Sequence, residues 1–66
     1  MMKVRELMQL LERNGWTIRR TRGSHRQYTH PERPGVVTVA GAPGREVPVC
    51  TLNAVLKSAG LKGERL

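Results

Sequence analysis

The stretch Trp16-Thr17-Ile18-Arg19-Arg20-Thr21-Arg22-Gly23-Ser24-His25-Arg26-Gln27-Tyr28-Thr29-His30 decides the fold. Its first part, Trp16 to Thr21, alternates and is rich in aromatic and β-branched residues, which predicts a strand. Gly23-Ser24 is a turn signal. His25 to His30 predicts a second strand, ended by Pro31. A three-residue loop, Arg22-Gly23-Ser24, sets Thr21 opposite His25, Arg19 opposite Gln27 and Ile18 opposite Tyr28. Trp16, Ile18 and Tyr28 then share one face, as a core requires. Thr17, Arg19, Thr21, His25, Gln27 and Thr29 share the other. A two-residue loop sets Ile18 beside Thr29 and Tyr28 beside Arg19, splitting the apolar set, and a one-residue slip moves every side chain to the opposite face. The three-residue loop is therefore the expected register, with His25 on the solvent-facing side at the turn.

Outward from the hairpin the pattern changes period. Val4, Leu7, Met8 and Leu11 recur at helical spacing and predict a helix over Lys3–Asn14, stopped at Gly15. Val36-Val37-Thr38-Val39 predicts a third strand after a Pro31–Gly35 loop. Leu52, Val55, Leu56 and Ala59 predict a second helix, with Thr51 as N-cap and Gly60 as stop. The expected fold class is α+β in the order α-β-β-β-α, a three-stranded antiparallel sheet with both helices on one face. At 66 residues, positions 1–66 are expected to form a single domain.

Charge narrows the function classes. Twelve Lys and Arg stand against five Glu, with no Asp, for a net charge of +7. That favours a polyanionic partner. No apolar run approaches the roughly 20 residues of a membrane span, the N-terminus lacks a signal peptide's apolar region, and one unpaired cysteine suits a reducing compartment. The chain is expected to be cytoplasmic, with no membrane partner. Scattered glutamates and the lack of aspartate argue against a two-metal nuclease. Cys50, His25 and His30 do not make a structural zinc set. Ser24 lacks the aspartate of a hydrolase triad, and Gly41-Ala42-Pro43-Gly44 lacks the ending of a phosphate-binding loop. No metal or cofactor is expected. Cys50 reads as a small packed residue just ahead of the second helix.

The densest chemical signal is Arg19–Arg26, where Arg19, Arg20, Arg22 and Arg26 surround His25 within eight positions. A guanidinium donates two parallel hydrogen bonds to phosphate, and histidine moves protons near neutral pH. RNA strand cleavage needs those groups: a base for the ribose 2′-OH, an acid for the leaving 5′-oxygen, and cations for the crowded phosphorane. A solvated basic face with an ordinary turn histidine is the simpler account of the same residues. His30 lacks a basic surround and is at most a substrate contact.

Over nearly its whole length the chain resembles HicA, the toxin of HicA–HicB toxin–antitoxin pairs. The resemblance is carried by Leu11-Glu12-Arg13-Asn14-Gly15-Trp16, by Arg22-Gly23-Ser24-His25-Arg26-Gln27-Tyr28 with His30-Pro31, by Val37-Thr38-Val39, and by Thr51-Leu52-Asn53-Ala54-Val55-Leu56-Lys57-Ser58-Ala59-Gly60-Leu61. It implies a fold like a double-stranded-RNA-binding domain. It also implies an mRNA-cleaving endoribonuclease that arrests translation, and a HicB-like antitoxin that covers the motif histidine. That histidine maps to His25 as the catalytic residue. Arg19, Arg20, Arg22, Ser24 and Arg26 are the expected RNA-binding residues, and the toxin alone is expected to be a monomer. Two positions depart from the family pattern. Ala42 stands near a histidine that many members carry after the third strand, leaving Arg45 as a nearby substitute, and Cys50 replaces the glycine before Thr-Leu. The competing readings are a non-catalytic RNA-binding module and a basic protein that docks an acidic partner. Duplex RNA binders place a lysine cluster at the start of their second helix, where Leu52–Ala59 offers only Lys57.

Overall fold

The computed structural model describes residues 2–61; positions 1 and 62–66 of the expected 1–66 domain lie outside the described residues. The elements run α1 (Val4–Arg13), β1 (Thr17–Arg22), β2 (His25–His30), β3 (Arg33–Ala40) and α2 (Val49–Ser58). The strands form one antiparallel sheet in the order β1-β2-β3. This is the expected α-β-β-β-α order. No helix among the described residues is long and apolar enough to cross a membrane.

Both helices end in the same way, and in each case the sequence explains it. After α1, Gly15 N–H donates to Glu12 O and Trp16 N–H reaches back to Leu11 O at 3.0 Å. After α2, Gly60 N–H donates to Lys57 O and Leu61 N–H to Leu56 O at 2.7 Å. These are paired Schellman bonds, with glycine at the left-handed position at φ +90° and +72°. Trp16 and Leu11 at the first of these ends, and Leu61 and Leu56 at the second, are all buried in the core. The start of α1 lacks a side-chain oxygen at its cap. Instead Lys3 N–H donates to Glu6 Oε1 at 2.7 Å, while Val4 N–H and Arg5 N–H donate to the carbonyls of Arg45 and Pro43. The segment after β3 thereby supplies acceptors that a helix start needs.

One cluster holds Val4, Leu7 and Leu11 of α1, Val55 and Leu56 of α2, Tyr28 of β2, and Val37 and Val39 of β3, together with Trp16, Val47, Ala59 and Leu61. Tyr28 is paired with Val37, so their side chains share a face, and both helices cover that face. The helices pack chiefly against β3. The edge strand β1 is therefore poorly covered. Ile18, expected in the core, pairs with Tyr28 but is 45% exposed, whereas Trp16 and Tyr28 are buried at 1% and 0% exposure.

Three expected boundaries shift. The hairpin loop has two residues, not three: Arg22 pairs with His25, leaving Gly23-Ser24 as the turn. Gly23 takes φ +58°, the left-handed position that a tight hairpin asks of a glycine. The register then changes between Ile18 and Arg20, so that Ile18 still meets Tyr28. A bulge at Arg19 reconciles the short turn with the apolar pairing. β3 begins at Arg33 and not at Val36, because Pro34 lies on an edge strand where its missing N–H is tolerated. Residues 34–36 face the single residue Thr29, where the second register shift falls. α2 begins at Val49 with Pro48 as its cap, so Thr51 lies inside the helix and Cys50 is exposed in its first turn, not packed.

Candidate functional site

The face of the sheet away from the helices carries the candidate site. Directly opposed residues of an antiparallel pair point to the same side, so the register sorts the basic cluster. Arg22, His25 and Ala40 form one cross-strand row. Arg20, Gln27 and Thr38 form the next. Thr17 and Thr29 form the third. Successive rows stand about 6.7 Å apart along the strands. His25 is exposed at the turn end, with Arg22 on one side and the small Ala40 on the other.

The two-residue turn therefore exchanges the arginines expected beside His25. Arg20 and Arg22 share its face, where Arg19 and Thr21 were expected. Arg19 is the bulged residue, exposed on the edge strand. Thr21 pairs with Arg26, and Arg26 with Val39, on the helix-covered side. The Arg26 guanidinium is engaged there. Its Nη1 donates to Gly41 O at 2.9 Å and to Ser24 O at 3.2 Å. Gly41 N–H donates to the same Ser24 carbonyl at 3.3 Å. Arg26 thus ties the hairpin turn to the end of β3, and Ser24 serves that tie through its backbone. The Gly-Ser dipeptide is itself a two-residue hairpin signal, and giving it more weight than apolar matching would have placed Arg20 and Arg22 with His25.

His30 has a different situation. Its Nε2 lies 2.9 Å from Asn14 O, and Glu32 N–H donates to its Nδ1 at 3.0 Å. These bonds call for the neutral ring with its proton on Nε2. The ring stands edge-on to Trp16, with centroids 5.2 Å apart. His30 is thereby fixed as a brace between the end of α1 and the second turn. A side chain at Gly15 would collide with it: a Cβ there falls 2.7 Å from His30 Nε2.

Beneath the sheet, the Tyr28 hydroxyl is buried with no hydrogen-bond partner among the described residues. Burial pushes its pKa up from the ordinary value. The charge of Glu12 adds to that shift and the charge of Arg26 opposes it.

No curated protein matches the chain closely. The family model described as "HicA toxin of bacterial toxin-antitoxin" matches residues 4–61. That span takes in every element, from the start of α1 to the Schellman residue Leu61. It includes the hairpin that carries His25 and both glycine-terminated helices, so the chain belongs to the HicA toxin family of bacterial toxin–antitoxin systems.

Proposed function

We propose that this protein is the toxin of a HicA–HicB pair and acts as a metal-independent endoribonuclease on mRNA, with His25 as its catalytic residue. The observation that carries the reading is the row Arg22–His25–Ala40 on the uncovered face of the sheet, in a member of a toxin family. An exposed imidazole beside a guanidinium supplies a proton-transfer group and a phosphate ligand within one cross-strand pair. Arg22 and Arg20 hold the phosphates flanking the cut, and Arg19 meets the strand from the sheet edge. Ser24 and Arg26 keep the turn in place, so that His25 is presented at a fixed height above the sheet.

The reaction is internal transfer. The ribose 2′-oxygen loses its proton, attacks the adjacent phosphorus and displaces the 5′-oxygen, which takes up a proton as it leaves. His25 serves one of these two proton transfers, and Arg22 stabilises the charge that builds on the phosphorane. The small Ala40 side chain leaves room over the imidazole for the ribose. A HicB-like antitoxin, acidic to match this face, silences the toxin by covering the same row. The test replaces the single 2′-OH at a mapped cut site with hydrogen. Loss of cleavage at that site alone is expected, and undiminished cleavage there overturns internal attack.

A further inference from the structure

A pocket of about 430 Å³ opens at the end of the edge strand β3, where Ala40 of the His25 row meets the start of α1 on the helix-covered side and the segment that leads to α2. Its lining is Val4, Ala40, Gly41, Arg45, Glu46 and Pro48. Ala40 is the direct cross-strand partner of His25, so the pocket wall begins about 5 Å from the His25 backbone. The wall and the turn are joined: Gly41 N–H and the Arg26 guanidinium both donate to Ser24 O, and the same guanidinium donates to Gly41 O.

The rim is held by backbone bonds and does not depend on a ligand to form. Val4 N–H donates to Arg45 O at 2.8 Å, Arg5 N–H to Pro43 O at 3.0 Å and Arg45 N–H to Ala42 O at 3.0 Å. Lys3 and Glu46 form an isolated antiparallel bridge, and Val47 N–H donates to Met2 O at 2.9 Å. A pre-formed concavity near the lower end of the roughly 300–1,000 Å³ range has the size of a small-ligand site.

Its chemistry is selective. Val4, Ala40 and Pro48 supply apolar wall, while Arg45 and Glu46 supply opposite charges at adjacent positions. A carboxylate accepts two parallel N–H bonds, and a guanidinium donates two. Guanine is the nucleobase that offers both complements: adjacent N1–H and N2–H donors on one edge, and adjacent O6 and N7 acceptors, the usual target of arginine. Adenine and cytosine each present one exocyclic amino group and do not fill both partners.

We propose that this pocket takes an unpaired guanine next to the phosphate at His25, with Glu46 accepting from N1–H and N2–H and Arg45 donating to O6 and N7. The proposal rests on the ribonuclease reading for its substrate, and its test reads binding so that the two stand or fall separately. The full chain carrying His25→Ala is titrated against short fluorescent uridine-tract RNAs that differ at one central base. Guanine RNA is expected to bind about tenfold tighter than adenine or cytosine RNA, with inosine, which lacks the N2 amino group, between them. Adding Glu46→Ala, at an exposed position, is expected to reduce that preference to less than about twofold. Equal binding to all RNAs, a preference for another base, or a guanine preference that survives both Glu46→Ala and Arg45→Ala overturns the proposal. Failure of the wild-type chain to cleave RNA would overturn the ribonuclease reading instead, and leaves the measured base preference intact.

Discussion

His25 and His30 bound the same strand and have opposite surroundings. Both nitrogens of His30 are engaged by backbone groups, and its ring leans on Trp16. His25 stands exposed at the turn, across from Arg22. Sequence alone separates them only by their neighbours, since the bonds that hold His30 come from Asn14 and Glu32, on either side of the hairpin. Tyr28 supplies a second residue-scale contrast. Its hydroxyl is buried without a partner among the described residues, and such a group costs about 1–3 kcal/mol. Tyr28→Phe is expected to keep the fold and gain about 1 kcal/mol in denaturant unfolding. The pH dependence follows from the raised pKa. Below the ordinary tyrosine value near 10 the hydroxyl is protonated in both folded and unfolded chains, and its contribution to stability is complete. Above that value the unfolded chain ionises first, so stability falls as pH rises through the folded pKa. The wild-type chain is expected to lose this increment in alkaline titration and Tyr28→Phe to be spared it; parallel curves for the two would refute the assignment.

At the scale of elements, the C-terminal ends of both helices are legible because glycine at the left-handed position leaves a mark in sequence, and so is β2, which runs from His25 to His30 as expected. The bulge at Arg19 is not. Two local rules conflicted there: Gly23-Ser24 asks for a two-residue turn, while Ile18 and Tyr28 ask for pairing that such a turn prevents in a regular ladder. The chain satisfies both by inserting one residue, a solution invisible to any reading that keeps the ladder regular. β3 starts three residues before the expected Val36 because Pro34 and Gly35, which resemble loop residues in sequence, are tolerated in an edge strand. The glycines give an internal comparison. A Cβ at Gly23 meets open space at φ +58°, so only the backbone term applies, about 1–2 kcal/mol. A Cβ at Gly15 meets His30 Nε2 at 2.7 Å as well. Gly15→Ala is therefore expected to lower the denaturation midpoint more than Gly23→Ala. Equal losses would mean that the His30 brace contributes nothing.

For the molecule as a whole, a net charge of +7 on 66 residues pointed to a polyanion, and the register shows how that charge is divided. Arg20 and Arg22 lie on the open face with His25, Arg19 on the edge, and Arg26 beneath, holding the turn. The face was legible in outline from the density of arginine. Its membership was not, since one bulge decides which alternate residues point outward. A division of labour follows for binding. Each phosphate contact on single-stranded RNA contributes a slope of about 0.7 to the fall of log affinity with log salt. Arg20→Ala and Arg22→Ala are each expected to weaken RNA binding and reduce that slope by about 0.7. Arg26→Ala is expected to leave the slope unchanged and to lower stability by about 1–2 kcal/mol through its lost hydrogen bonds. A slope that falls as much for Arg26→Ala as for Arg22→Ala would contradict this partition. On the proposed function, a partner that covers one row of the open face would cover His25 and Arg22 together.

The proposed role of His25 is proton transfer in RNA cleavage, and the cleavage rate of His25→Ala on a defined RNA tests it. His25 is exposed and its loss leaves the core intact, so circular dichroism and thermal unfolding are expected to match those of the wild-type chain. The rate is expected to fall by about 100-fold or more, the usual contribution of a positioned acid or base. A folded His25→Ala chain that cleaves at the wild-type rate contradicts the account.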